Sequence, residues 1–255
     1  LGTNQSLDNI SIYVLEDFAK RFIAADNILI SVFGNIKVTD LDLIRKYFSS
    51  LPFTKSRAHT NNDVLQPVKF DKIISGKFDK LQTIVQLGFR APKINDADHE
   101  YIDLIDSLLS GMGGALFKLR EKSGNSYQIG SINVSMYRAG EFILFGSLGE
   151  HARNKTKWLI DNFFKELEKI KSGSFSDAEL KRAINSLIGK KDISMENIEN
   201  QCQNAGLFEI YNIGYEKYYN MYNFPDNIKS IRKKITDFAS KYLKKDNYII
   251  IKVGK

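Results

Sequence analysis

The chain has 255 residues, 43% hydrophobic and 26% charged, the balance of an ordinary globular protein with room for one large core or a core plus an appendage. One cysteine, Cys202, excludes an internal disulfide framework and cannot hold a metal by itself. No apolar run reaches the ~20 residues that cross a bilayer, and the net charge of +7 is concentrated in residues 226–255, with nine basic and three acidic side chains.

Residues 7–24 have helical periodicity and lead into an apolar strand, Ile28–Phe33. Thr39 is placed to cap a second helix running to about Ser50, and Pro52 stops it. The polar, Asn-rich stretch 53–66 reads as a linker between domains. Two strand-like runs follow, Val68–Ser75 and Leu81–Arg90, joined by a turn containing Gly76. Asp96 or Asp98 starts a helix through YIDLIDSLLS, with His99 expected on its surface at the start and His151 expected on the surface likewise. Next come GMGG, a short helix ALFKLREK, a break at Ser123–Ser126, and a hairpin of residues 127–137 and 141–148 around Arg138, Ala139 and Gly140. The remainder is mostly helical. Ser176 and Glu179 form a capping box, and Ile231, Ile235, Phe238, Ala239 and Tyr242 make a core-facing stripe near the end. Strands first and helices after, with hairpin connections, predict an α+β fold, an antiparallel sheet covered by helices.

Part of the chain occurs twice. Residues 15–35 align without a gap on residues 235–255 at an offset of 220, with seven identities: Asp17/Asp237, Phe18/Phe238, Ala19/Ala239, Asp26/Asp246, Asn27/Asn247, Ile30/Ile250 and Gly34/Gly254. About one or two would arise by chance. Each copy reads as helix, Asp-Asn turn, apolar strand and glycine. The expected organisation is therefore the tail of a preceding homologous domain (1–54), a linker (55–66) and one complete domain (67–255). Any targeting signal is expected upstream of Leu1, which leaves the compartment open between bacterial periplasm and cytoplasm.

The residue types do not assemble an active site within the chain. The three histidines, His59, His99 and His151, lack helical metal-ligand spacing, and neither H-x-x-E-H nor its inverse occurs. No nucleophile elbow or phosphate loop is present; GMGG follows a helix and reads as a close-packing turn. Arg120, at the end of ALFKLREK, and Tyr127, seven residues on, can stand on one side of a helix–turn–strand corner and donate to carbonyl oxygens. Read alone, those types favour a plainer assignment, a solvated helix-end arginine and an amphipathic strand tyrosine. The basic residues of 229–245 read as the solvated back of an amphipathic helix. A nucleic-acid module using them is the competing view, and binding that weakens steeply with salt tests it.

Residues 109–127, LSGMGGALFKLREKSGNSY, resemble the second-half pattern of the pitrilysin/insulinase-type zinc metallopeptidases, the inverted-zincin family that includes mitochondrial processing peptidases: approximately L-x-G-G-x-x-S-x-L-F-x-x-L-R-E-x-x-G-L-A-Y. Ala115 stands where the family usually has Arg, and Asn125-Ser126 replace Leu-Ala; the Arg/Tyr pair is kept. ILISVFGNIKVTDLDLIRKYFSSLP and FSDAELKRAINSLIG are similar to other family segments, so the resemblance covers nearly the whole chain. It implies paired, alike domains enclosing a chamber for unfolded peptides, with zinc on an H-x-x-E-H helix in one of them. The other domain lacks zinc. This chain is then the zinc-free half, inactive alone, with no catalytic or metal residue of its own. Zinc is expected in a partner domain or subunit, and Arg120 and Tyr127 reach the substrate backbone. A non-catalytic scaffold subunit of the same fold is the alternative implied.

Overall fold

The computed structural model describes residues 2–53 and 70–254. In chain order the elements are α1 (Asn4–Asp8), α2 (Ile12–Phe22), α3 (Val38–Phe48), β1 (Phe70–Lys77), β2 (Thr83–Ala91), α4 (His99–Ser110), α5 (Ala115–Ser123), β3 (Ser126–Ser135) and β4 (Gly140–Leu148). A 3-10 turn (Glu150–Lys155) then leads into α6 (Thr156–Ser172), α7 (Asp177–Glu196), α8 (Ile198–Ile210), α9 (Tyr215–Tyr219), α10 (Ile228–Tyr242) and β5 (Asn247–Gly254). The chain divides into a smaller unit, Leu1–Val64 with Glu196–Tyr218, and a larger one, Leu65–Met195 with Tyr219–Lys255. The linker expected at 55–66 lies outside the described residues. Residues 196–218, expected within the second domain, group instead with the N-terminal segment.

Alternation builds the larger unit. In β2 and β4 every second side chain is buried, so Val85, Leu87, Phe89, Phe142 and Leu144 share one face of the sheet. On that face lie α4, α6 and α10, which contribute Ile105, Leu109, Leu159, Phe163, Leu167, Ile235 and Phe238 to one continuous core. Each such side chain stabilises the fold by roughly 1.5–3 kcal/mol on burial. The stripe read on α10 is buried as expected, at Ile231, Ile235, Phe238 and Ala239.

The fold is α+β, with a five-stranded sheet ordered β1-β5-β2-β4-β3. The expected hairpin is present as β3 and β4, paired antiparallel from Ser135↔Gly140. The sheet is mixed, because β1 and β5 run parallel while the other pairs are antiparallel. The two opening runs do not form the expected hairpin. β5 lies between them, and Gly76 pairs with Val253 inside β1 rather than making the turn. Only a non-local choice of neighbour could produce that order.

Three local expectations are corrected. Residues 28–33 form no strand among the described residues, and the N-cap of helix α3 is Lys37, whose amide donates to Asp40 Oδ2 (2.9 Å), not Thr39, which lies within the helix. His99 is buried, its Nε2 3.5 Å from Asp103 Oδ2. The Ser176/Glu179 box is present. The Ser176 amide donates to Glu179 Oε2 (3.0 Å) and the Glu179 amide to Ser176 Oγ (3.1 Å). The first of these bonds, with Lys118, lowers the Glu179 carboxyl to about 2.

In the smaller unit, α8 packs along residues 29–34. Ser31 Oγ donates to the Cys202 carbonyl (2.8 Å) and the Cys202 thiol to the Ser31 carbonyl (3.1 Å). Gly206 leaves room for that approach; a Cβ there would lie 3.0 Å from Ser31 Cβ.

Candidate functional site

The GMGG turn is a packed junction between α4 and α5. Gly113 has φ +74°, a left-handed conformation, and Gly114 caps α5. The carbonyls at the end of α4 need partners, and they find one far along the sequence. Arg182 on α7 donates to Ser107 (3.1 Å), Leu108 (3.5 Å) and Met112 (3.0 Å) carbonyls. Sequence reasoning missed Arg182 because its targets lie 70 to 75 residues away. Arg182→Lys, which keeps the charge and loses the fork, is expected to cost about 1–2 kcal/mol in urea denaturation.

Leu116 is fully buried and anchors α5, while Arg120 stands half-buried with its guanidinium 5.0 Å from the Phe117 ring centroid. Gly124, at φ +61°, ends the helix as the sequence predicts, its amide donating to the Arg120 carbonyl (3.3 Å). Immediately beyond, β3 carries an irregularity. Ser126 pairs with Leu148 and Gln128 with Ser147, so Tyr127 is an extra residue opposite no partner. Ser126 Oγ fixes the bulge by donating to the Gln128 carbonyl (2.8 Å) and to that of Ser147. Tyr127 is 82% exposed. Its hydroxyl and the Arg120 guanidinium make no hydrogen bond or ion pair among the described residues. The structure thus brings both to one helix–bulge corner without bonding them to each other.

The sheet face turned away from the helices is apolar and open. Ile143, Ile249, Ile251, Val134 and Gly88 line a cavity of about 500 Å³ there, with Arg90 and Glu141 at its border.

Between α4 and β3 runs a second polar group that the sequence did not reveal. Asp103 accepts from Asn133 Nδ2 (2.8 Å) and the Tyr222 hydroxyl (3.1 Å), and Asp106 accepts from Ser131 Oγ (2.6 Å). Burial pushes Asp106 up to about 6 and raises Asp103 as well, although His99 opposes the latter shift. These bonds tie α4 to β3 and to Tyr222, and the group reads as structural. Among the described residues no group of three or more His, Cys, Asp or Glu could hold a metal. No helix of the described residues is long and apolar enough to cross a membrane.

The chain is 25% identical over 215 residues to a protein of Bacillus subtilis (strain 168) named uncharacterized zinc protease YmxG, covering 82% of this chain and 50% of that one. It is 23% identical over 214 residues to an uncharacterized zinc protease of Rickettsia bellii (strain RML369-C), covering 81% and 49%. The chain therefore spans about half the length of the curated relatives it matches. Its fold is that of the crystal structure of a peptidase M16 inactive domain from Pseudomonas fluorescens, with a TM-score of 0.81 and 21% identity, over 99% of this chain and 60% of that one. The description of the peptidase M16 inactive domain matches residues 9–187, more than half of the sequence. With that match, which spans strands β1 to β4 and the helix–bulge corner, the chain belongs to the peptidase M16 inactive-domain family.

Proposed function

We propose that this chain is the zinc-free half of a zinc metallopeptidase. Arg120 and Tyr127 hold the backbone of an unfolded peptide while an H-x-x-E-H site in another domain or subunit cleaves it. The observation that carries this reading is the bulge at Tyr127. It takes the side chain out of the sheet register and leaves a phenol exposed beside the end of the helix that bears Arg120. Bulges recur next to active sites because they re-aim one side chain without disturbing the rest of a strand. A guanidinium offers planar, permanently charged donors and the phenol a neutral one, and both suit peptide carbonyl oxygens, including one gaining charge in a transition state. The open apolar sheet face and its cavity supply a surface for the side chains of an extended peptide. In this reading zinc and the activation of water are assigned to the other half; among the described residues no group of three or more His, Cys, Asp or Glu could hold a metal.

The test is hydrolysis of a quenched fluorescent peptide by this chain, by the H-x-x-E-H half with zinc, and by the mixture. Activity is expected in the mixture. Arg120→Ala is expected to lower kcat/KM by about 30-fold, about 2 kcal/mol, with complex formation and thermal stability unchanged; Tyr127→Phe is expected to lower it less. A stable but inactive complex would make the chain a scaffold subunit instead. Activity losses that track losses of stability would make the pair structural.

A further inference from the structure

We infer that the cavity on the open sheet face is a selectivity pocket for two large apolar side chains of the substrate, at positions i and i+2. They lie about four to six residues from the peptide residue held at the Arg120/Tyr127 corner. The substrate class is then a segment of unfolded chain in which large apolar residues alternate with others. The inference deepens the proposed function and rests on it for the place where the peptide is held.

A missing side chain makes the pocket. Gly88 sits within β2, in register with Ile143 of β4 on one side and Ile249 of β5 on the other. A Cβ there would come within 3.3 Å of Ile249 Cγ2, so any side chain would crowd the floor and begin to fill the space. Ile143, Ile249, Ile251, Val134 and Met136 stand around it, and the volume of about 500 Å³ is within the ~300–1,000 Å³ of ligand sites. The lining runs across β5, β2, β4 and β3, about 14 Å at ~4.8 Å per strand, and from Gln86 to Arg90 along β2, about 13 Å. One side chain leaves most of that space empty. Residues i and i+2 of an extended peptide, about 7 Å apart and on one face, fill it. A polar side chain at this apolar floor would give up water without gaining a partner.

β4 measures the distance to the corner. Gln128, next to Tyr127, pairs with Ser147, and Ile143 and Glu141 lie further along the same strand. At ~3.3 Å per residue the pocket begins about 13 Å from the bulge and ends about 20 Å from it, where Arg90 and Glu141 pair across β2 and β4. The face between is continuous. Gly130 presents no side chain, and the Phe145 ring takes that space, its Cζ 3.1 Å from where a Cβ would stand. An extended peptide advances by the same ~3.3 Å per residue, so one held at the corner and following β3 reaches the pocket about four to six residues on. That continuity favours the substrate as occupant. A footprint of about 14 by 13 Å is also far short of the ~800 Å² per partner that a stable protein interface buries.

The test uses the whole chain with the H-x-x-E-H half and zinc, and quenched fluorescent peptides in which a Phe-x-Phe pair, or Ser-x-Ser in its place, is moved along either side of the cleaved bond. At a spacing of about four to six residues, Phe-x-Phe is expected to raise kcat/KM by about 10-fold or more over Ser-x-Ser, the difference lying in KM. Gly88→Leu, which fills the pocket, and Ile143→Gln, which makes it polar without crowding Ile249, are each expected to erase that ratio with thermal stability unchanged. Labelled peptides titrated by fluorescence anisotropy, with zinc chelated, should show the same preference in binding. That arm needs no cleavage, so a failed Arg120/Tyr127 clamp leaves it intact, and a failed pocket leaves the Arg120→Ala result intact. A ratio near one at every spacing, or a preference that survives both variants, would overturn the inference. A preference erased by both variants but found at other spacings would overturn the path along β3. Self-association of the chain alone that Ile143→Gln abolishes would give the face to a second copy and overturn the choice of occupant.

Discussion

Gly114→Ala is expected to destabilise the larger unit by about 3–5 kcal/mol, a large part of the 5–15 kcal/mol typical of a domain. The residue's backbone angles, φ −68° and ψ 169°, suit any amino acid, so the reason is space rather than conformation. A Cβ at this position would lie 2.5 Å from the Leu109 carbonyl oxygen, 2.8 Å from its carbon and 2.7 Å from the Gly111 oxygen. All three atoms are main chain, in the last turn of α4 or its C-cap; the Gly114 amide donates to the Gly111 oxygen (2.6 Å), and the Arg182 fork holds the neighbouring Ser107, Leu108 and Met112 carbonyls. They cannot swing aside as a side chain would, so α5 must move and carry Arg120 with it. Urea denaturation measures the loss. Gly189→Ala serves as the control, because that position lies inside α7 with nothing within 4 Å of a new Cβ. It should leave stability unchanged or raise it by up to about 1 kcal/mol.

Asp106→Asn is expected to stabilise the larger unit by about 2–3 kcal/mol at pH 7.5 and by nearly nothing at pH 4. Burial between α4 and β3 raises the Asp106 carboxyl from 3.8 to about 6, the Ser131 hydroxyl only partly offsetting it. Between those values the folded chain binds more protons than the unfolded one. Stability from this group is therefore full below about pH 4 and lost as pH rises through about 6. Asp103, raised in the same direction by burial, adds to the slope. An asparagine keeps the oxygen that accepts from Ser131 and carries no charge to desolvate. Denaturation midpoints of both proteins from pH 4 to 7.5 give the result. Curves that stay parallel throughout would remove the desolvation argument.

What could be read from the sequence was what is decided locally. The strand runs at 81–90 and 141–148, the turn at Arg138–Gly140, the Ser176/Glu179 cap, the left-handed Gly124 and the α10 stripe all depend on residues within a few positions of one another. Arg120 and Tyr127 could be placed on a helix end and a strand start for the same reason. The bulge that turns Tyr127 outward could not, because it depends on which β4 residue faces Ser126. The insertion of β5 between β1 and β2, the Arg182 contacts and the burial of His99 also depend on distant partners. Residues 28–33 failed as a strand from the opposite cause: the local pattern is sound, and a strand requires a neighbour that the described residues do not supply.

The bond between Ser31 and Cys202 spans 171 residues. At a synthesis rate of about 5–20 residues per second, the N-terminal segment emerges roughly 10–30 s before the helix that covers one of its faces exists. Throughout that interval Leu29, Ile30, Val32 and Phe33 have neither α8 nor a finished chain to rest against. The early life of this segment is a matter of timing, and a nascent chain stalled before residue 196 should be held by chaperones at residues 29–33 rather than near the ribosome exit.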